Sequence, residues 1–274
     1  FGRDGRSAVI INAPVDGALS NFSGTSIHTS YNKAFHVMAG DGVVVDNVVS
    51  VHTVGSSFYV EQRAKHTVLK NNLGTGMIFP GTYKGLAGLE QREPTRAVFD
   101  IESSTTRLFD NVAAGSERAG FSGVGIRQCG LSMAQRDAWM HGNVAHSSLF
   151  GWFSHRLSAG ACSTIHGLTF YKILDYAVFW EVPQDVEASN LRIADTKVGL
   201  AMILVGPMWS QRQKSVGAVE DVLVVGASGN EECGLPRITD YMCKLSKAWC
   251  KSPRESHVGL YIPSFAAKFN SGPR

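Results

Sequence analysis

The feature that most limits how this chain can fold is a short phrase that returns along its length. An Asn followed by an apolar residue stands at Asn47-Val48, Asn72-Leu73, Asn111-Val112, Asn143-Val144 and Asn190-Leu191, with degenerate copies at Gly167-Leu168 and Asp221-Val222. The steps between copies, counted from the numbering, are 25, 39, 32, 24, 23 and 31 residues. Three of the six lie between 23 and 25, and a period in the twenties is typical of a stacked repeat architecture.

The segments around these copies predict short strands. They are rich in β-branched and aromatic residues and are bounded by Gly, Asn and Asp, as at Val43–Val45, Phe58–Val60 and Val222–Val225. No amphipathic run of helical length dominates a repeat, the regular Leu of leucine-rich repeats is absent, and propeller blades need about 40–50 residues. We therefore predict an all-β chain, a right-handed parallel β-helix (solenoid) of about eight turns with loop insertions, in which stacked turns share one core. We expect residues 1–274 to form a single parallel β-helix domain that is a fragment of a larger extracellular protein.

The recurrent Asn has two interpretations. Equivalent side chains of a coil lie above one another, so Asn47, Asn72, Asn111, Asn143 and Asn190 can form an amide ladder that stabilises the stack. The alternative is a row of polar groups that binds a ligand. The structural ladder is the interpretation that we favour.

Composition limits the class of protein. The chain is 44% hydrophobic and 18% charged, which indicates a globular fold. A net charge of +3 is too small to indicate a nucleic-acid partner. No run of about 18 apolar residues and no signal peptide are present. The opening Phe1-Gly2-Arg3 resembles the interior of a longer extracellular protein, so we expect any membrane attachment through a transmembrane segment outside this fragment.

The cysteines and one tripeptide favour an oxidising compartment. None of Cys129, Cys162, Cys233, Cys243 and Cys250 forms a CxxC pair. Cys162 follows Cys129 by about one turn, so a disulfide between them is expected. A second bridge is open within the Cys-containing loop 233–257, where Cys233 and Cys250 are the structural candidates. Asn21-Phe22-Ser23 is an N-glycosylation acceptor pattern. Together these features indicate an extracellular glycoprotein.

Three segments exceed the length of a simple turn and predict loop insertions. They are residues 79–96, 129–137 and 206–215, which contain Pro, Gly and polar residues. Insertions on solenoids gather on one face and often bind partners. Tyr83, Trp209 and Arg212 are the binding candidates, for a sugar or for a protein. Equally, these side chains can cover the flank of the coil.

The sequence carries no strong catalytic motif. Glycan hydrolysis needs two carboxyl groups beside the scissile bond. The weak candidates are Glu61, which follows a strand, and Asp100 and Glu102, which share one face of another; ordinary ion pairs are the simpler interpretation. His28 and His52 lie 24 residues apart, and we expect them to stack in one column. No phosphate-binding loop, GxSxG or HExxH is present, so neither a metal nor a cofactor is expected.

Several phrases resemble the fibrocystin and fibrocystin-L family, in order along nearly the whole chain. They are Phe79-Pro80-Gly81-Thr82-Tyr83, Gly115 to Gly125 with Cys129, Trp139 to Phe153 with Asn143 and Ala145-His146, Cys162-Ser163 with Gly167 and Asp175-Tyr176, Gly226 and Ser228 with Cys233, and Pro263-Ser264-Phe265-Ala266.

The resemblance implies a right-handed parallel β-helix within a very large type I membrane protein of cilia and cell surfaces. Related β-helices occur in cell-surface hyaluronidases, which share a Gly-His-x-x-x-x-Glu-Asp-Gly phrase. In Gly55-Ser56-Ser57-Phe58-Tyr59-Val60-Glu61-Gln62-Arg63, Ser56 replaces the His and Gln62 the Asp. This departure leaves Glu61 without the groups that tune an acid or base.

We therefore expect a non-catalytic extracellular scaffold or adhesion module of a large cell-surface protein; a ciliary or flagellar membrane is one such location. The expected partners are neighbouring modules, other copies, surface proteins or glycans. The alternative is a carbohydrate-binding or carbohydrate-cleaving β-helix, a hydrolase or lyase that acts on an acidic polysaccharide.

Overall fold

A computed structural model describes residues 7–12, 20–79, 97–155, 162–182, 184–204, 216–226 and 258–261. Most of the first predicted insertion, and the whole of 206–215 and 233–257, lie outside these ranges. The same holds for the predicted site residues Tyr83, Trp209, Arg212, Cys233, Cys243 and Cys250.

The described residues form 21 strands and one short helix. The first strands are β1 (Val9–Asn12), β2 (Asn21–Ser23), β3 (Ser26–His28), β4 (Phe35–Asp41), β5 (Val44–Asp46), β6 (Val49–Val51), β7 (Phe58–Val60), β8 (Ala64–Lys65), β9 (Val68–Lys70) and β10 (Leu73–Thr75). They are followed by β11 (Ala97–Ile101), β12 (Arg107–Phe109), β13 (Val112–Ala114), β14 (Ala119–Gly123), helix α1 (Met133–Asp137), β15 (Met140–His141), β16 (Asn143–His146), β17 (Phe150–His155), β18 (Cys162–Val182), β19 (Asp185–Leu204), β20 (Gly217–Val225) and β21 (Val258–Tyr261).

Successive strands pair in parallel with the strand one turn away, so the chain coils into a parallel β-helix with three faces. Face 1 stacks β1, β4, β7, β11, β14 and β17; face 2 stacks β2, β5, β9, β12 and β15; face 3 stacks β3, β6, β10, β13 and β16. The long strands β18 and β19 run through the corner and join faces 3 and 1 into one 16-stranded sheet. The predicted fold class is confirmed. Within the described ranges, no helix is long and apolar enough to cross a membrane.

The core is a column of aromatic rings on the inner side of face 1. Phe58 stacks on Phe99 with ring centroids 4.7 Å apart, and Phe99 stacks on Phe121 at 4.9 Å. Phe35 and Trp152 extend the column at either end, at 6.3 Å from their neighbours. All five side chains are buried. Because one turn cannot bury such a ring alone, this column makes the stability of each turn depend on the next.

The corners between faces 2 and 3 place one residue of each turn in the left-handed region. These residues have φ between 47° and 67°, and they are Gly24, Asn47, Asn71, Asp110, Gly142, Gly167, Asn190 and Asp221. Gly has no Cβ to clash there, and Asn and Asp tolerate this conformation better than other residues. The recurrence of Asn47 and Asn190 therefore has a backbone cause.

The buried amide ladder lies one position further along the chain and contains three Asn. Asn72 Nδ2 donates to Asn111 Oδ1 at 2.9 Å, and Asn111 Nδ2 donates to Asn143 Oδ1 at 2.9 Å. The predicted inclusion of Asn47 and Asn190 is wrong. Val48, and not Asn47, is the residue level with Asn72, and its N–H donates to Asn72 Oδ1 at 3.0 Å. Leu191 occupies the ladder position of the turn that contains Asn190.

The segment 129–137 was predicted to be a loop, but it contains helix α1. A capping box forms because Ser132 Oγ accepts from the Gln135 N–H while Gln135 Oε1 accepts from the Ser132 N–H. A disulfide joins Cys129 to Cys162 with Cα atoms 5.8 Å apart, which is the pairing that the one-turn spacing favoured.

Ionic contacts hold α1 against three later turns of the coil. The buried Arg136 contacts Glu220 Oε2 at 2.7 Å and Glu187 Oε2 at 3.4 Å. Asp137 Oδ1 lies 2.9 Å from Nε2 of the buried His166, whose Nδ1 contacts Ser189 Oγ at 2.8 Å. The insertion therefore acts as a clamp across β18, β19 and β20.

Candidate functional site

The outer side of face 1 carries a row of polar side chains in register. β4, β7, β11 and β14 align His36, Tyr59, Asp100 and Ser122, one from each turn. Their neighbours along each strand are the inward rings of the core, so the period-two alternation of a strand directs these polar groups outward. This row is the best candidate for a functional site among the described residues.

At the first turn of this row, His36 contacts two other polar side chains. Its Nε2 lies 2.8 Å from Glu61 Oε1, and its Nδ1 lies 3.3 Å from Ser7 Oγ. Since an ionised carboxylate only accepts hydrogen bonds, Nε2 carries the proton and Nδ1 accepts from the Ser7 hydroxyl. Glu61 also contacts Arg63 at 3.3 Å. Both oxygens of Glu61 thus have cationic or N–H partners within the protein.

Tyr59 lies beside the hydrogen bond between His36 and Glu61 and links it to the next turn. Its ring is 4.8 Å from the His36 ring, and Lys33 Nζ lies 4.2 Å from its centroid. Burial raises the pKa of Tyr59 above its ordinary value, and the negative charges of Glu102, Asp100 and Glu61 raise it further. Its hydroxyl therefore stays protonated and donates to Glu102. Tyr59 serves as a neutral donor here and not as a base.

The three carboxylates predicted as weak catalytic candidates are brought to one face. Glu61 and Glu102 follow the equivalent positions Val60 and Ile101, and each N–H bonds to the preceding turn, at 2.9 and 2.8 Å. Neighbouring strands lie about 4.8 Å apart, so the backbones of Glu61 and Glu102 lie one above the other on adjacent turns. Asp100, in contrast, is 1% exposed, so a substrate in solution does not reach its carboxyl group.

The predicted histidine column is wrong. β3 pairs with β6 so that His28 is level with Val51, and His52 lies one residue further along and takes a left-handed φ of 54°. Both histidines belong to face 3, away from Glu61. In the described part of the chain no group of three or more His, Cys, Asp or Glu is placed to hold a metal ion.

Sequence reasoning missed His36, Tyr59 and Lys33. The available signal was a 23-residue step from His36 to Tyr59, whereas a step of 24 points to Val60 and conceals the match. Ser56, which stands where related β-helices have a His, is fully buried, so it does not replace that group at the surface.

Two more predicted residues have defined surroundings. Asn21 is exposed at the start of β2, the outermost strand of face 2 in the described chain. Phe79 lies at the start of the first insertion. The guanidinium carbon Cζ of Arg118 lies over its ring, 3.8 Å from the ring centroid. The Phe79 N–H donates to Glu117 Oε2 at 2.8 Å. The beginning of that insertion is therefore tied to the turn that contains β14.

The three parallel faces and the shared aromatic core define this chain as a parallel β-helix solenoid protein. The family model of the CEMIP beta-helix matches residues 14–151, and the chain belongs to this family.

Among curated proteins the chain is similar to fibrocystin-L of Mus musculus, 26% identical over 264 residues, which is 94% of this chain. It is 26% identical to fibrocystin-L of Homo sapiens over 260 residues and to fibrocystin of Canis lupus familiaris over 256 residues, 93% and 91% of this chain. The chain spans only 6% of the length of each of these relatives. The chain is therefore similar to one segment of each of these proteins, and the similarity does not extend to the rest of their length.

Proposed function

We propose that this chain is a non-catalytic, extracellular scaffold and adhesion module of a large fibrocystin-like cell-surface or ciliary protein. The proposal rests on the surroundings of the carboxylates that were candidates for catalysis. Glu61 is held between His36 and Arg63, and Asp100 is buried. A general acid or base needs an accessible proton site near the substrate. Asp100 is not exposed, and each carboxylate oxygen of Glu61 already has a partner in the protein.

The interior supports a mechanical role. The ring column from Phe35 to Trp152 and the ladder from Asn72 to Asn143 link consecutive turns by packing and by hydrogen bonds. Bending such a coil would disturb the ring contacts and the amide hydrogen bonds between successive turns, so we expect a stiff solenoid. The disulfide between Cys129 and Cys162 supports an oxidising, extracellular setting.

Face 3 supplies a surface suited to contact. Its outward row aligns Val49, Leu73, Val112 and Val144 from four consecutive turns, and all four side chains are half-buried. These four side chains are apolar and uncharged, which suits lateral packing on a neighbouring module or on another copy. Surface proteins and glycans are further candidate partners of this face.

A carbohydrate-cleaving function is the second candidate, and one observation favours it. Glu61 and Glu102 stand on adjacent turns with Tyr59 between them as a neutral donor. Against an acidic polysaccharide, the carboxylates of this row repel the ligand, and in the described part of the row Lys33 and Arg63 are the cations that offset them.

One assay on the purified chain separates the two. Hyaluronan, chondroitin sulfate and a neutral glycan are incubated with the wild type, and both chain length and retention are measured. The scaffold proposal expects unchanged chain length with every glycan. Shortening that is lost in Glu61→Gln and in Glu102→Gln, but kept in the exposed-corner variant Asn47→Gln, overturns it in favour of the enzyme. Retention without shortening identifies a glycan-binding adhesion module.

A further inference from the structure

We propose that the outer surface of face 3 holds a binding site for a neutral sugar ring, which stacks on the imidazole of His146 and is bounded by His52 at its other end. The site gives the adhesion role proposed above a class of ligand, and the inference rests on that role. Its residues lie in two outward columns of the coil that include neither the catalytic candidates nor the apolar row of face 3.

An aromatic wall stands at one end of the site. His146 on β16 is level with Tyr171 on β18, and their rings stack with centroids 4.7 Å apart and an interplanar angle of 11°. Both side chains are half-buried on the outer side of the sheet. Burial and the positive charge of Lys172 lower the pKa of His146, so its imidazole is largely uncharged at neutral pH. Tyr171 supports one face of this ring, and the other face is directed towards the turn that contains Ala114.

The turns next to this wall lack large side chains. Ala114 is the residue level with His146, and the corner residue beside it is Gly115, whose N–H donates to the His146 carbonyl at 3.1 Å. A Cβ placed on Gly115 would meet the Gly76 nitrogen at 3.7 Å and Thr75 Oγ1 at 4.0 Å, which are ordinary van der Waals distances. Since Gly115 is exposed, the surface beside the His146 ring is open to solvent.

His52 closes the opposite end of the site. Its N–H donates to the Thr75 carbonyl at 3.0 Å, and its ring lies over Gly76, where an added Cβ would come within 2.6 Å of His52 Cδ2. His52 and His146 belong to turns three strand spacings apart, and the His52 ring leans across one of them. The gap between the two imidazoles is therefore about 10 Å, which admits a single sugar ring with its hydroxyl groups.

The chemistry of this surface fits a neutral sugar. Between the two imidazoles, the outward and corner positions are Thr75, Gly76, Ala114 and Gly115, so these positions carry no charged side chain. A charged sugar would lose hydration there without gaining an ionic partner. The C–H face of a pyranose suits the negative face of an aromatic ring. Its hydroxyl groups can bond to Thr75 Oγ1, to Ser147 Oγ and to the ring nitrogens of both histidines.

The test is histidine NMR on the full 274-residue chain, titrated with monosaccharide probes. The neutral probes are methyl α-mannoside, methyl β-galactoside and methyl β-N-acetylglucosaminide, and glucuronate is the charged comparison. The Cε1–H signals of His52 and His146 are assigned by their loss in His52→Gln and His146→Phe. We expect at least one neutral probe to shift both signals in a saturable way, and glucuronate to shift neither.

Substitutions in one outward column locate the site. Ala114→Leu fills the surface beside His146 but keeps both imidazoles, so it should abolish the shifts. Ala194→Leu is the matched control, because Ala194 lies in the same column on the far side of Tyr171, and it should leave binding unchanged. With the His52 signal as the readout, His146→Ala should abolish binding and His146→Phe should retain it in part, since Phe keeps an aromatic wall.

The site is overturned if no neutral probe shifts the two signals, or if the shifts persist in Ala114→Leu. Equal shifts with glucuronate contradict the assignment to neutral sugars, and shifts confined to His36 place sugar binding on face 1 instead. These failures are distinct from failure of the scaffold proposal, which is recognised by shortened glycan chains.

Discussion

Asn111 Nδ2 donates to Asn143 Oδ1 at 2.9 Å across one full turn of the coil, while Asn111 Oδ1 accepts from Asn72 Nδ2 at the same distance on the other side. The remaining Asn111 hydrogen goes to the Leu69 carbonyl at 2.8 Å. A buried primary amide is thus satisfied by three consecutive turns, and it links them by directed bonds as well as by packing.

We expect Asn111→Ala to lower the free energy of unfolding by about 2–3 kcal/mol, because the amides of Asn72 and Asn143 lose partners in a dry interior. The measurement is urea denaturation. Asn47→Gly is the matched control, and it should leave the midpoint nearly unchanged because Asn47 lies in the exposed corner column. Equal losses in the two variants contradict the assignment of Asn47 and Asn111 to different columns.

At the left-handed corners, unlike in the amide ladder, we expect loss of the side chain to be tolerated. Asn190 has a φ of 50°, so Asn190→Val should cost about 1–2 kcal/mol and Asn190→Gly should be neutral or slightly stabilising. Thermal unfolding of the two variants measures this. If Asn190 belonged to a side-chain ladder, Gly would be the more damaging substitution of the two.

The disulfide between Cys129 and Cys162 closes a loop of 33 residues in sequence separation. We expect Cys129→Ser with Cys162→Ser to destabilise the chain by about 3–4 kcal/mol, chiefly through the freedom that the unfolded chain regains. The measurement is the unfolding midpoint with and without reductant, and the double variant should no longer respond to the reductant. If the unfolding midpoint of the double variant still falls with reductant, another disulfide contributes to stability.

We expect two aspartates, Asp175 and Asp46, to change the stability of the fold in opposite directions as pH rises. Burial raises the pKa of Asp175 above 3.8, and the nearby Lys197 offsets this only in part. The folded state then binds more protons than the unfolded state, so this group lowers stability as pH rises above about 3.8. Asp175→Asn should therefore gain in melting temperature relative to the wild type between pH 4 and pH 7.

Asp46 serves as the control, because its effect on stability should change with pH in the opposite direction. A hydrogen bond from Asn71 and the charge of Lys70 lower its pKa below 3.8. Its stabilising contribution is present above the unfolded pKa and is lost as pH falls, so Asp46→Asn should lose relative to the wild type as pH rises from acid to neutral. Parallel pH profiles of the two variants would show that at least one of the two carboxyl groups does not titrate as its surroundings indicate.

Much of the candidate site was within reach of the sequence, because Glu61, Asp100 and Glu102 were singled out and lie together on face 1. What sequence reasoning missed was the register. A step of 24 residues joined His28 to His52, whereas the turn at that point takes 23, and a shift of one residue in a strand moves a side chain to the opposite face. The same slip separated His36 from Tyr59, with which it forms the site.

The amino-acid sequence by itself determined that this chain coils, because a period in the twenties, short β-branched segments and corner Asn, Asp and Gly are local patterns that each turn repeats. It also indicated the pairing of Cys129 with Cys162. Only the tertiary structure decided which Asn are buried, since insertions change the step from one turn to the next and Asn71 stands directly before Asn72. Stacking selects the register in which Asn72, Asn111 and Asn143 satisfy one another, and that choice depends on several turns at once.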